Sequence, residues 1–207
     1  LVRCVYESGA GAVCLSCDLF SALFGGAKAP LGGGSLRINS VGGTPFFDEA
    51  AWRVSFDGLF RKPATLTFSE LKALSQVERT RDFYCVEGWG VRDVGWRGIT
   101  LREVMKHFDI DPSATHIVFH SSDSADYSDS VTLEEAKRDD TLLAWELNGQ
   151  PLPPEQGRPL LLVLPGTYGY KYVKWVVRVE AVALGDNLVP VGTVCLLYTS
   201  PSPRDRT

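Results

Sequence analysis

The chain has 207 residues, of which 44% are hydrophobic and 22% charged, and its formal net charge is -4. This composition is typical of a soluble globular protein with one domain. The acidic balance argues against nucleic acid as a partner, because phosphate backbones bind clustered basic surfaces. The five cysteines, at positions 4, 14, 17, 85 and 195, show no framework spacing, which disfavours a disulfide-stapled fold.

An apolar N-terminal segment covers residues 1–35. In its stretch 9–27 the only charged residue is Asp18, and this pattern predicts the remnant of an export signal or of a membrane segment. The stretch is short for a membrane span. Cys14 and Cys17 form C-x-x-C without a following His or a second pair, so we interpret them as incidental. Export to the periplasm is the expectation, with the cytoplasm as the alternative.

The body of the chain, residues 36–194, predicts a mixed α+β domain. Residues 53–57, RVSFD, alternate as a half-buried strand does. Three Thr-x-x-Glu sequences predict capped helix starts. They begin at Thr67, Thr100 and Thr132. Apolar residues at helical spacing follow the second start and end before Asp111-Pro112. They are Leu101, Val104, Met105 and Phe108.

Three later segments predict strands. HIVFH at 116–120 alternates between two faces, RPLLLVLP at 158–165 is a nearly continuous apolar run, and 173–184 alternates in part. Helices and strands follow one another without a regular βαβ rhythm, which favours α+β over a doubly wound sheet. No phosphate-binding glycine motif and no G-x-S-x-G sequence is present.

Within this body Cys85 is the one cysteine, in FYCVEGW at 83–89. A lone cysteine is often a small buried hydrophobe, and a thiolate ligand or nucleophile is the alternative. His116 and His120 share a strand face and could ligate a metal together with Cys85. No third ligand has a recognisable spacing, so structural roles are the better interpretation for them, and His107 is predicted at the surface of a helix.

The last residues, 195–207, are predicted to be an artefact. CLLYTSPSPRD resembles the translation of a sequencing-library adapter, so we exclude this tail from the predicted domain.

Several collinear segments resemble the oxidoreductase molybdopterin-binding domain, shared by sulfite oxidases and bacterial protein-methionine-sulfoxide reductases. The segments are WRVSFDGLFRKPATLTFSEL (52–71), FYCVEGW (83–89), VGWRGITLREVM (94–105), DTLLAWELNGQPLPPEQGRPLLLVLP (140–165) and YGYKYVKWV (168–176). CVEGW followed by YGYK-x-x-KW is the most specific pair. The chain is similar to the sulfoxide-reductase branch, because the cysteine segment lacks the arginines of sulfite oxidases.

The resemblance implies a sulfite-oxidase-type fold and a molybdenum-molybdopterin cofactor. Cys85 would be the catalytic residue and the protein's ligand to molybdenum, and a soft thiolate suits such a metal. The other implied cofactor contacts are Asn39, Ser121, Gln156, the amides of Tyr172 and Val173, and Lys174. The aromatic residues expected to line the pocket are Trp89, Tyr127 and Tyr168.

Two positions depart from the family. Leu161 stands where the family carries a cofactor-binding arginine, and Arg158 lies at the opposite strand parity. Tyr172 is also bulkier than the small residue expected at its place.

The resemblance implies two-electron oxygen-atom transfer on a small sulfoxide, sulfite or similar oxo substrate. The chain has no haem motif, so a separate haem protein or membrane cytochrome would be the electron partner. Two alternatives remain open: a cofactor-free binding or assembly module with the same fold, and a thiol enzyme, for which no nearby base is evident.

Overall fold

The structure is a computed structural model that describes residues 31–32, 36, 43–85, 87–123 and 127–183. The predicted tail and Asn39 lie outside these residues, as does all of the predicted N-terminal segment except Leu31–Gly32. Within the described ranges no helix has the length and apolar character needed to cross a membrane.

Eleven strands, three short α-helices and two 3-10 turns make up the described ranges. The strands are β1 Leu31–Gly32, β2 Arg53–Gly58, β3 Ala64–Thr67, β4 Val77–Tyr84, β5 Gly90–Thr100, β6 His116–Ser121, β7 Ser128–Thr132, β8 Leu142–Leu147, β9 Gln150–Pro151, β10 Leu161–Val163 and β11 Val176–Val182. The helices are α1 Phe68–Ala73, α2 Leu101–His107 and α3 Leu133–Ala136. The 3-10 turns are Pro154–Gln156 and Gly169–Lys171.

The strands form two sheets. Sheet A has the order β1-β5-β8-β10, with β4 also paired to β5 and β9 to β8. Sheet B has the order β3-β2-β11-β6-β7. In sheet B, β11 runs parallel to β2 and antiparallel to β6, so the sheet is mixed, as the sequence predicts.

Both sheets contribute to one apolar core. Its largest fully buried side chains come from strands of both sheets, from two of the helices and from the loops beside β9 and β10. They are Phe56, Leu71, Trp96, Ile99, Leu101, Ile117, Phe119, Leu142, Leu143, Leu152, Leu160 and Leu162.

The three predicted helix starts are confirmed. At Thr67 and Thr132 the hydroxyl accepts from the amide of the glutamate three residues on, and that glutamate accepts from the threonine amide, so both capping bonds form. At Thr100 the hydroxyl accepts from Glu103 N. The predicted apolar face of α2 is buried, with every member at most 5% exposed. This helix ends at His107, before the predicted stop, and Asp109 then takes a φ of 55°.

The predicted strands are present, but the last two are shorter. The run 158–165 is strand only at Leu161–Val163, and the segment 173–184 becomes strand only from Val176. Trp175 has a φ of 53°, which is incompatible with extended backbone. The residues before it, which carry the predicted phosphate contacts, therefore form an irregular segment that enters sheet B.

Candidate functional site

Cys85 lies where β4 turns into β5. Its amide donates to Trp89 O at 2.8 Å, and its carbonyl accepts from Gly88 N at 3.2 Å, closing a tight turn. Gly88 has a φ of 84°, a conformation that glycine adopts at little cost. The residue is 8% exposed. The turn therefore holds the thiol almost buried at the end of a strand.

A carboxylate accompanies this thiol. Glu87 Oε2 lies 3.9 Å from Cys85 Sγ and accepts from Trp89 Nε1 at 3.0 Å. Glu87 is exposed at the residue level, whereas Trp89 is half-buried. The thiol thus has an anionic neighbour that the indole holds in place.

The YGYK segment packs directly on the strand that ends at Cys85. Tyr84 and Tyr168 form an isolated parallel bridge. Gly169 lies against Phe83 so closely that a Cβ there would fall 2.1 Å from Phe83 Cζ. The rings of Phe83 and Tyr172 meet edge to face, with centroids 5.4 Å apart. The fold therefore brings the predicted phosphate-binding segment beside the cysteine turn.

Tyr172 turns its side chain into the core. It is 6% exposed and packs edge-on against Phe83 and Trp96, and burial raises the pKa of its phenol. Its amide already donates to Gly169 O at 3.1 Å. The core thus accommodates the bulky side chain of Tyr172. The Tyr172 amide closes the 3-10 turn Gly169–Lys171.

Val173 and Lys174 present two groups suited to an anion. Val173 is fully buried, its carbonyl accepts from Leu162 N at 2.9 Å, and its amide donates to none of the described residues. Lys174 Nζ donates to Glu155 O at 2.9 Å, and burial lowers the pKa of this ammonium to about 8. A buried N–H without an acceptor is costly, and a desolvated ammonium gains from a nearby negative charge.

Ser121 and Gln156 border the same segment. Ser121 is 9% exposed and pairs with Val176 across sheet B, and its hydroxyl accepts from Asp123 N at 3.1 Å. Gln156 Nε2 donates to Leu36 O at 2.9 Å and so ties the N-terminal part of the domain to the 3-10 turn. The structure therefore gathers all the described predicted contacts around one segment.

Arg158 does not replace the charge that is missing at Leu161. Leu161 is 4% exposed within β10, opposite Ala144, and supplies no charge. The Arg158 guanidinium lies over the ring of Phe47, 5.2 Å from its centroid.

The described histidines do not form a metal site. His120 Nε2 lies 3.0 Å from Glu180 Oε2, and His116 Nδ1 lies 2.9 Å from Thr115 Oγ1. Across the described ranges no group of three or more His, Cys, Asp or Glu side chains could hold a metal.

Sequence reasoning missed two contacts of this region. A buried ion pair joins Asp129 to Lys171, and Tyr127 Oη donates to Tyr170 O at 2.9 Å. Nothing in the local pattern marks Asp129 as buried, because it stands in the polar stretch SDS. Lys171 carries a signal only through its place in YGYK.

The fold and the site together define a domain built to hold an anionic, metal-bearing cofactor. Residues 41–185 match the family model of the oxidoreductase molybdopterin-binding domain, and the chain belongs to this family. Membership confirms the predicted cofactor, molybdenum-molybdopterin, and the predicted class of molybdopterin-dependent oxidoreductases.

Similar proteins agree with this assignment. The chain is 29% identical over 142 residues to the uncharacterized oxidoreductase YuiH of Bacillus subtilis, covering 68% of this chain and 71% of the relative. It is 35% identical over 145 residues to the protein-methionine-sulfoxide reductase catalytic subunit MsrP of Xanthomonas campestris, covering 63% and 45%. The chain thus spans about half the length of its MsrP relatives.

A solved structure confirms the predicted fold. The sulfane dehydrogenase SoxCD of Paracoccus pantotrophus superposes with a TM-score of 0.64 at 24% identity, over 69% of this chain and 41% of that one. The predicted sulfite-oxidase-type α+β architecture is therefore correct.

The described residues fit the cofactor. The Val173 amide and the desolvated Lys174 would offer a donor and a cation to a phosphate, and the Cys85 thiolate would offer a soft ligand beside the strand on which the YGYK segment packs.

Proposed function

We propose that this domain catalyses two-electron oxygen-atom transfer on a small, uncharged sulfoxide. The observation that carries the proposal is the buried Cys85 thiol, with the YGYK segment packed on its strand and Glu87 beside it. When bound, molybdenum-molybdopterin supplies the oxygen-atom transfer chemistry, and the protein supplies ligation, orientation and electrostatics.

In this proposal Cys85 is the protein's ligand to molybdenum and the catalytic residue. Its thiolate is soft, and the turn closed by Trp89 O and Gly88 N fixes its direction. Further cofactor contacts come from the residues gathered around the irregular segment. They are Ser121, Gln156, Tyr172, Val173 and Lys174, together with Asn39, which lies outside the described residues.

The charges near the thiol favour an uncharged substrate. Glu87 Oε2 lies 3.9 Å from Sγ, and an anion such as sulfite would be repelled there. Arg81 and Arg138 both pair with Asp140, which offsets part of their positive charge. The similarity to protein-methionine-sulfoxide reductases supports the same choice. Trp89, Tyr127 and Tyr168 are proposed to line the pocket.

A separate electron partner and an exported location complete the proposal. The chain carries no haem-attachment motif, so a haem protein or membrane cytochrome would exchange electrons with it. The relatives named as catalytic subunits support a partner subunit. The apolar residues 9–27 support periplasmic export, with the cytoplasm as the alternative. Expression of the full-length gene followed by periplasmic extraction tests the location.

Metal analysis tests the ligand. We expect the protein purified from a cofactor-producing host to hold about one molybdenum per chain and the Cys85→Ser variant to hold almost none, because a hydroxyl is a poor soft ligand. Cys195→Ser, in the predicted tail, is the matched control and retains the metal. A wild-type protein without molybdenum would rule the proposal out.

Substrate assays test the charge argument. We expect the loaded enzyme to reduce methionine sulfoxide with a reduced viologen dye and to leave sulfite unoxidised with ferricyanide. Glu87→Arg should permit sulfite oxidation, whereas Glu87→Gln should permit it less, because it removes the negative charge without adding a positive one. Efficient sulfite oxidation by the wild type would contradict the proposed substrate class.

The second candidate is a cofactor-free binding module, and Leu161 favours it. A lost charge-assisted bond would weaken cofactor retention by about 1.5–3 kcal/mol. The Leu161→Arg variant separates the candidates: if only the variant holds the cofactor, the natural chain is the module. If both hold it, the catalytic proposal stands and Leu161 only tunes affinity.

A further inference from the structure

An ion pair between Asp129 and Lys171 lies next to the irregular segment. Lys171 Nζ lies 2.8 Å from Asp129 Oδ1, and the side chains are 30% and 4% exposed. Asp129 Oδ1 also accepts from Ser130 N at 2.7 Å, whereas Oδ2 is buried and contacts no donor in the described ranges. Oδ2 is closed off from solvent, so a ligand cannot reach it without rearrangement. The carboxylate therefore has a structural role, through its contact with Lys171.

Among the described residues, this pair and two hydrogen bonds connect the β6–β7 hairpin to residues 170–175. Tyr127 Oη donates to Tyr170 O at 2.9 Å, and Ser122 N donates to Trp175 O at 3.0 Å. The connections therefore lie on both sides of Tyr172–Lys174. Of the three, only the Asp129–Lys171 contact joins two full charges.

A carboxylate at this place costs free energy unless a partner compensates it. Moving an ion from water into a protein interior is expensive, and an ammonium in contact offsets the cost only with good geometry. An apolar or hydroxyl side chain would fill the position without that cost. Because the buried carboxylate is stable only with the ammonium in contact, the pair holds Lys171 in one position. The end of the turn Gly169–Lys171 is held with it.

We propose that Asp129 and Lys171 are positioning residues that aim the Val173 amide and Lys174 at the anionic part of the cofactor. The inference rests on the proposed roles of Val173 and Lys174. The turn ends at Lys171, and the next amide, of Tyr172, closes it on Gly169 O. A shift of Lys171 therefore moves Tyr172 and, with it, Val173 and Lys174.

The test combines hydrogen exchange and cofactor release. In Asp129→Asn and in Lys171→Met, amides of residues 170–174 should exchange faster in cofactor-free protein. The loaded variants should release the cofactor about 10- to 100-fold faster, as is usual when the partners of metal-site residues are removed. Lys171→Arg keeps the charge and should restore slow release. Arg178→Gln breaks the Arg178–Asp57 pair elsewhere in sheet B and is the matched control.

A double variant covers the case in which a single change prevents folding. Asp129→Leu with Lys171→Leu leaves no unpaired buried charge, and it should fold while releasing the cofactor faster than wild type. The proposal is overturned if exchange and release in these variants match wild type, or if Arg178→Gln changes them equally. Exchange is read without cofactor, so a wild-type protein lacking molybdenum would refute the proposed function while leaving this test intact.

Discussion

Lys174 combines a proposed contact to the cofactor with an effect on the stability of the fold. Burial lowers the pKa of this ammonium to about 8 in the folded, cofactor-free protein, against an ordinary value of 10.5. The unfolded chain therefore holds this proton more tightly than the folded one. Below pH 8 both states are protonated and the full penalty of burying the charge opposes folding. Between pH 8 and 10.5 the contribution to stability rises with pH.

We therefore expect Lys174→Met to stabilise the cofactor-free protein at pH 7. The gain should be on the order of 1–3 kcal/mol and should shrink as pH rises toward 10.5. Urea unfolding at pH 7 and pH 10 measures it. Lys106→Met, at an exposed helix position, is the control and should show neither the gain nor its pH dependence.

The same change should weaken cofactor binding. Loss of a charge-assisted bond costs about 1.5–3 kcal/mol, so the variant should bind the cofactor roughly 10- to 100-fold less tightly. A phosphate beside Lys174 would also raise its pKa again, and binding to the wild type should weaken above pH 8. Unchanged affinity in the variant would exclude a direct role for Lys174.

At the scale of elements, the contact between β4 and the turn Gly169–Lys171 sets the geometry around the thiol. A Cβ at Gly169 would fall 2.1 Å from Phe83 Cζ, far inside any normal contact. Neither partner can give way easily, because Phe83 also packs against Trp89 and Tyr172. The turn therefore lies as close to the cysteine strand as the Phe83 ring allows.

Gly169→Ala should therefore push the turn away from β4. We expect a loss of about 1–3 kcal/mol in unfolding free energy, as for overpacked cores, together with reduced molybdenum content. Phe83→Leu added to this variant should recover part of both. Thermal unfolding and metal analysis follow the effect, and Gly43→Ala, where a Cβ meets nothing within 4 Å, is the control. No recovery in the double variant would mean that the Phe83 contact is not the cause.

Elements set by contacts between residues close in sequence were predictable, whereas elements set by long-range contacts were not. The helix starts at Thr67, Thr100 and Thr132 were predictable because their capping partners lie three residues away. The start of β11 was not, because Trp175 is held by bonds to Gly157 O and Pro154 O from another part of the chain.

The site shows the same division. Cys85 and Lys174 were predicted as site residues through sequence resemblance, which carries long-range information that periodicity lacks. The Asp129–Lys171 pair was missed because polarity in a strand does not tell which side chains are buried.

At the scale of the whole molecule, the site joins the two sheets. Cys85 ends a strand of sheet A, whereas the irregular segment runs into β11 of sheet B. The residues proposed to hold the cofactor therefore depend on the mutual packing of both sheets.

The predicted artefact tail should be dispensable for folding and for cofactor binding. We expect removal of residues 195–207 to leave the melting temperature and the molybdenum content unchanged, because the family match ends at residue 185. Calorimetry and metal analysis of the shortened chain test this. A marked drop in either quantity would show that the tail belongs to the domain.

The central place of β11 in sheet B has a consequence for how the chain folds. This strand lies between β2 and β6, although it is the last described strand in the sequence. Its Arg178 pairs with Asp57, 121 positions earlier. Pairing over such distances slows folding, because a long loop must close before any contact stabilises it. During synthesis β2 cannot pair with β11 until almost the entire domain has left the ribosome. We therefore expect the segment proposed to bind the cofactor, which leads into β11, to fold last.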